Sequence, residues 1–418
     1  MSLNFKSSIL FAGALCCLGH QQTLHADEAP LASSLQPLLD RKAIAGAVML
    51  VADKEKVLDL EAVGVASVET GTPMRKDSLF WIASMTKSVT GTAMMLLVDE
   101  GKVKVADPVE TYLPEFKGQQ VLEEGKDARH VPQHPITVRE VLSHTSGLIL
   151  AGDKALNQRS LLSDHVAQYA AAPLIREPGT KYQYNNSGIN TAGRIIEVVS
   201  GMPYFDFINT RLLEPLGMKD TTFWPSEEQA GRLAWTVKRK MDNSGLEDIH
   251  LDRNVPAAAL EKLSQGVKVP SAMVENFGVG KVTDYARHYG EPAGGLFSTA
   301  ADMGRFCQML LNGGTWQGKR YLSKAAIEEM TRSQTGDVPV NSQEGYGLGW
   351  SVKIKDDEGP APGSYGHRGA RKTVMWVDPQ QELVMVLLVQ LWDIRPEDQK
   401  ELYAGFMRAA VAKYGKAR

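Results

Sequence analysis

The chain is short of cysteine, of long apolar runs and of any surplus of one charge. Of its 418 residues only Cys16, Cys17 and Cys307 are cysteines, and Cys307 alone lies outside the first few dozen positions. A lone thiol closes no intramolecular disulfide, so the fold must rest on its core. Past the N-terminus the longest apolar stretch, Leu383 to Leu391, is broken by Gln390. That is long enough for a buried strand and too short to span a bilayer. Lys plus Arg number 46 against 49 Asp plus Glu, with no basic stripe. This argues against a nucleic-acid partner. What is present is 43% hydrophobic residues, enough to bury a large core and far too apolar for disorder.

The first residues have a layout of their own. Lys6 is the sole charged residue among the first 26, an apolar run spans Ile9 to Leu18, and a polar stretch leads to Ala26 before Asp27 and Glu28. This is the pattern of a secretory signal peptide over residues 1–26, and it implies an exported, periplasmic or secreted protein with no stable membrane insertion once the leader is removed. Leu24 stands where a small residue is preferred, and Gly13, Ala14 and Leu15 before Cys16 fit a lipoprotein signal poorly.

Downstream, Ala45 to Ala52 and Val57 to Val63 read as a hairpin, and Ser84 to Asp99 as a helix with Val89, Ala93, Leu96 and Leu97 on one side, closed by Gly101. Helical spacing recurs at Leu161–Ala171, Asn186–Ser200, Tyr204–Leu213 and Thr299–Leu311, the last capped by Ser298 or Thr299. Residues 225–293 are polar and punctuated by Gly and Pro. Strand patterns cover Tyr346–Ile354, Thr373–Val377 and Leu383–Val389, and Leu402–Tyr414 is a closing helix. The order predicts an α/β (α+β) fold in which both ends share one antiparallel sheet flanked by helices, about 27–80 and 294–418, with a helical insert at about 81–293.

Three short segments carry groups suited to acyl transfer. Ser84 and Lys87 are three apart on a helix, so hydroxyl and amine share a face. Serine needs an adjacent base, and lysine serves as one when burial or positive charge lowers its pKa. By itself such a spacing is expected about once by chance in a chain of this composition. Tyr184, Asn185 and Asn186 follow a Pro178–Gly179 turn; a phenol beside an ammonium can relay a proton, and the Asn186 amide can orient substrate or lysine. His367, Arg368 and Gly369 sit in a glycine-dense turn, where the Ala370 N–H can face an oxyanion and His367 can supply a proton or positive charge near neutral pH. Arg368 reads as solvent-facing, or as a contact for an acidic substrate group. Read singly, Tyr184 fits a buried phenol satisfied by backbone, and His367 an ordinary hairpin turn.

Together the three segments resemble the serine β-lactamase-like hydrolases: class C β-lactamases, D,D-carboxypeptidases and related family VIII-type esterases. Ile136–Leu148, Pro215–Met218, Gly294–Thr299 and Tyr346–Trp350 are also similar to that family, so the resemblance spans nearly the whole mature chain. It implies a β-lactamase/transpeptidase-like fold and a serine hydrolase with no cofactor and no metal. Ser84 would be acylated, Lys87 would activate it, and Tyr184 would act as base with the division between the two left open. Asn186, His367, Gly369 and Ala370 would bind substrate, with the N–H groups of Ser84 and Ala370 forming the oxyanion hole. His144 and Ser146 match the family and read as structural. Asn185 replaces a more usual Ser, and His367-Arg368 replaces the Lys-Thr of true β-lactamases. These departures favour an esterase- or amidase-like activity on a small ester, amide or peptide. D-Ala-D-Ala carboxypeptidase or β-lactamase activity is the alternative, and a non-catalytic penicillin-binding-like sensor is a third. His130 and His134 are four apart, but Pro132 between them spoils a helical metal site, so a structural role is expected.

Overall fold

Both ends of the chain meet in one seven-stranded sheet. The fold is a computed structural model that describes residues 30–123, 125, 128–150, 161–249, 290–356 and 359–416. The expected leader with Cys16 and Cys17, and most of the irregular stretch 225–293, lie outside the described residues. In chain order the main strands are β1 (Gly46–Ala52), β2 (Val57–Gly64), β3 (Glu344–Tyr346), β4 (Ser351–Lys353), β5 (Tyr365–Arg368), β6 (Val374–Asp378) and β7 (Leu383–Leu388). They lie in the order β3-β4-β5-β6-β7-β1-β2, every neighbouring pair antiparallel. The N-terminal hairpin thus continues the C-terminal meander, with Val48 opposite Leu388 and Leu50 opposite Val386.

All seven residues of β1 and all six of β7 are buried. Continuous burial in an antiparallel strand means that both faces of the sheet are covered. Side-chain alternation then sorts the residues. Val48, Leu50, Val384, Val386, Met375 and Tyr365 face the helical body of the protein. Met49, Val51, Met385, Leu387, Val374 and Trp376 face the other way, onto Leu402, Phe406 and Met407 of the last helix. That helix runs Pro396–Tyr414, starting earlier than its leucine spacing suggests because Pro396 serves in the first turn and Glu397 and Asp398 suit its N-terminus.

Four helices matter for the site: α1 (Thr86–Asp99), α2 (Val138–Leu142), α3 (Asn186–Ser200) and α4 (Ala300–Leu311). Helix α4 is capped by Thr299, whose hydroxyl accepts the Asp302 N–H, and packs on β1, β6 and β7. Its Gly304 lies against Leu50, where a Cβ would stand 3.0 Å from the leucine methyls. Truncating Leu50 would open a cavity at a cost of ~2–5 kcal/mol. Helix α1 departs from the one-sided pattern read from sequence: every residue from Thr86 to Leu97 is buried. Its hydroxyl face is enclosed too, because backbone carbonyls satisfy it. Ser88 Oγ donates to Gly349 O at 3.0 Å, and Thr90 Oγ1 donates to Pro292 O at 2.7 Å.

Two expected elements come out differently. Tyr346–Ile354 is not one strand but the hairpin of β3 and β4. Gly349 takes φ +79° at the turn, with its backbone pressed against helix α1, where a Cβ would stand 2.5 Å from Lys87 O. Tyr365–Arg368, expected within a turn, is strand β5, and the turn begins only at Gly369.

Candidate active site

Ser84 lies in a 3-10 turn, Ala83–Met85, that leads into α1. Its N–H is among the first of the turn, which have no partner inside a helix. The backbone there is strained: Ala83 has φ +46°, and His144 and Lys372 have φ +62° and +69°. Three of the seven non-glycine residues with left-handed backbone among the described residues therefore fall in or beside the segments singled out from sequence. Such strain persists only where the surroundings over-determine it, and it gathers at functional sites.

One turn beyond Ser84, Lys87 is fully buried. Its Nζ donates to Ser84 Oγ at 3.1 Å, Asn186 Oδ1 at 2.9 Å and Ala293 O at 2.6 Å. All three partners are neutral. Burial therefore pulls the ammonium down to about 7, against a smaller upward pull from Glu291. The amine also sits 4.7 Å from the centre of the Tyr184 ring. Partial burial raises the pKa of the Tyr184 phenol, and the nearby Ser84 side chain lowers it by less. The net shift is upward, so proximity to lysine does not ionise this phenol.

The second segment is placed by capping. Asn185 is the N-cap of α3, its side chain accepting the Gly188 N–H at 2.9 Å. Asn and Ser cap helices about equally well, which accounts for the departure from the family's usual serine. Capping leaves Asn186 in the first turn of α3, turned to Lys87. Backbone holds the segment from behind: the Gln183 N–H donates to His144 O at 2.8 Å and the Asn185 N–H to His144 Nδ1 at 3.3 Å.

The third segment meets the first backbone to backbone. A Cβ on Gly369 would stand 2.4 Å from Ile82 O and 2.1 Å from Thr373 Oγ1, so only glycine fits. Thr373 Oγ1 donates to Ile82 O at 3.2 Å, tying the turn after β5 to the turn before Ser84. This close approach brings Gly369 and Ala370 up to the Ser84 turn.

His367 and Arg368 fall on opposite faces of β5. His367 faces the helical side, as Tyr365 does. Its Nδ1 donates to Arg368 O at 2.7 Å, so Nε2 accepts the Tyr346 hydroxyl at 2.8 Å. Burial and the Lys87 charge push its pKa down to about 3. The positive charge expected of His367 near neutral pH is therefore absent: the ring is a neutral, spoken-for acceptor. Arg368 keeps 40% of its side chain exposed, in line with a solvent-facing position, and is already paired rather than poised for a substrate carboxylate. Its guanidinium forks onto Glu344 at 2.7 and 2.9 Å and lies over Trp376 and Tyr403 on the far side of the sheet. Strand alternation alone forces this split.

Sequence reasoning missed two contributors and gave a third, His144, only a structural role. The Ala293 carbonyl grips Lys87, Tyr346 holds His367, and His144 packs against Tyr184 with ring centres 4.4 Å apart. Ala293 immediately precedes the Gly294-Gly295 pair, and Tyr346 and His144 both lie in stretches that resemble the family; those were the available signals. His130 and His134 serve surface pairs instead, with Glu177 at 2.7 Å and Glu140 at 3.6 Å.

Comparison with known proteins agrees with this geometry. The Beta-lactamase family model matches residues 31–406. Protein Rv1367c of Mycobacterium tuberculosis is 31% identical over 385 residues, covering 86% of this chain and 88% of its own. Esterase EstB of Burkholderia gladioli is 26% identical over 84% of this chain and 86% of its own. Among solved structures, EstCE1, a hydrolase with promiscuous acyltransferase activity, superposes with a TM-score of 0.71 at 23% identity, covering 92% of this chain and 97% of that one. With a β-lactamase/transpeptidase-like fold and a match that runs almost from end to end, the chain belongs to the β-lactamase family of serine hydrolases.

Proposed function

We propose that this protein is an esterase-like hydrolase that works through an acyl-enzyme on Ser84, with Lys87 as the base. One observation carries the reading: the partners of Lys87 Nζ. A neutral amine has two N–H bonds and one lone pair. Asn186 Oδ1 and Ala293 O can only accept, so they take both N–H bonds. The lone pair is then left for Ser84, the one partner that can donate. With its pKa drawn down to about 7, a large share of Lys87 is in this form at neutral pH.

The steps follow. Ser84 Oγ gives its proton to Lys87 Nζ and bonds to the ester carbonyl carbon. The oxygen that becomes negative is held by the N–H groups of Ser84 and Ala370. Collapse breaks the bond to the alcohol oxygen, which takes the proton back from Lys87, relayed through the hydroxyl of Tyr184, whose ring lies beside the amine. Water attacks the acyl carbon with its proton passing to the same amine, and collapse breaks the bond to Ser84 Oγ, which takes that proton back, releasing the acid and free Ser84 with a neutral Lys87. Tyr184 acts as a protonated relay, since its phenol is shifted away from ionisation.

A small neutral ester is favoured over a D-Ala-D-Ala peptide or a β-lactam because both of the latter carry a carboxylate. Strand β5 offers no cation beside Ser84: His367 is neutral and Arg368 belongs to the opposite face. The name of the relative EstB points the same way. The test is intact-mass spectrometry with p-nitrophenyl esters, D-Ala-D-Ala peptides and β-lactams, on wild type and Ser84→Ala. The expected result is ester turnover by wild type and neither turnover nor adduct in Ser84→Ala. Turnover that survives Ser84→Ala would refute the nucleophile. A long-lived β-lactam adduct without ester turnover would refute the substrate class.

A further inference from the structure

His144 is nearly fully buried, yet its backbone sits at φ +62°, where a residue with a side chain is strained. Its Nε2 has no hydrogen-bond partner among the described residues, although it is buried. An apolar side chain would fill the space without that unsatisfied group. The compensating contacts are specific. The N–H before Tyr184, on Gln183, donates to His144 O, and the N–H after it, on Asn185, donates to His144 Nδ1. Both peptide neighbours of Tyr184 are thus tied to one residue, whose ring also packs on the Tyr184 ring at 4.4 Å and on Tyr346 at 4.7 Å.

We propose that His144 is a positioning residue that clamps Tyr184 from both sides and so fixes its ring beside the Lys87 amine. This rests on the acyl-transfer reading above. Because Nδ1 accepts, the ring is neutral and carries its proton on Nε2. Burial, and to a lesser degree the Lys87 charge, hold it in that state. The nitrogen that matters is the acceptor, and an Asn side chain can offer an oxygen in its place while tolerating the left-handed backbone.

The test compares H144G, H144N and wild type by fluorophosphonate titration of Ser84, followed by rates per titrated site. H144G removes ring and acceptor without backbone strain. It should lower both the phosphonylation rate and kcat per site by roughly 10- to 100-fold, the scale of a small misplacement of a reacting group, with KM changed less than about threefold. H144N should recover most of that loss. A merely structural role would reduce the number of titratable sites and leave the rate per site unchanged; that result overturns the proposal. So does an H144N no faster than H144G. H144L, which refills the space, replaces H144G if the latter does not fold. Failure of wild type itself to label at Ser84 would instead overturn the acyl-enzyme reading.

Discussion

Two charged groups are taken out of water on opposite sides of the sheet, and they are treated in opposite ways. Asp398, in the first turn of the last helix, is almost wholly buried. It accepts from Arg41 Nε at 2.9 Å and from Arg395 Nε at 2.7 Å. Burial pushes this carboxyl up, but the two guanidinium groups outweigh it and hold it below 3.8. Lys87, on the helical side, is equally buried and receives only neutral acceptors. Asp398 keeps its charge and stabilises the fold; Lys87 is driven towards losing its charge and becomes a base.

The pH signs follow. For Asp398 the folded value is depressed, so its contribution is present above about pH 4 and is lost as the pH falls through the folded value. For Lys87 the folded value lies near 7 against 10.5 unfolded. Its burial weakens the fold most below 7, by roughly 5 kcal/mol at most, and the cost fades as pH rises towards 10.5. The catalytic amine is thus a stability liability, which is the expected sign for a group kept for its chemistry.

Exchanging these roles should fail in graded ways. Lys87→Ala should cut the rate by about 10² or more, the usual scale for losing a general base, with little loss of folded protein. Steady-state kinetics on the purified variant checks this, and near-full activity would remove lysine from the scheme. Asp398→Asn should do the reverse. It should lower stability at pH 7 by about 1–2 kcal/mol, since Arg41 and Arg395 are partly exposed, and the deficit should shrink below pH 4. Its rate per titrated site should match wild type. A catalytic defect in that variant would mean that the two faces of the sheet are coupled.

How far the sequence could carry this contrast depends on what each contact is made of. Ser84 and Lys87 were legible because one helical turn joins them. Tyr184 and Asn186 were legible only through the ordered motifs, since nothing local brings residue 184 to residue 87. The Ala293 carbonyl could not be read at all: every residue has a carbonyl, and only packing chooses one. His367 was found but given the wrong charge, because its neutrality comes from enclosure by Tyr346 and Lys87 rather than from its neighbours in sequence. Arg368 was read as solvent-facing, which its 40% exposure supports, but its pairing with Glu344 was not foreseen, for a simpler reason. Once residues 365–368 form a strand and not a turn, alternation sends Arg368 to the face opposite His367. The central strands β1 and β7 were the plainest part of the fold, as their unbroken apolar runs demand cover on both sides.

The most direct test is the titration of Lys87 itself, followed by NMR of protein carrying ¹³C at the lysine ε-carbons, with Lys87→Arg used to assign the signal. The account predicts one lysine titrating at about 7 and an acylation rate that rises through the same pH. A Lys87 signal that stays that of a full ammonium above pH 9, with acylation still fast at pH 7, would contradict it.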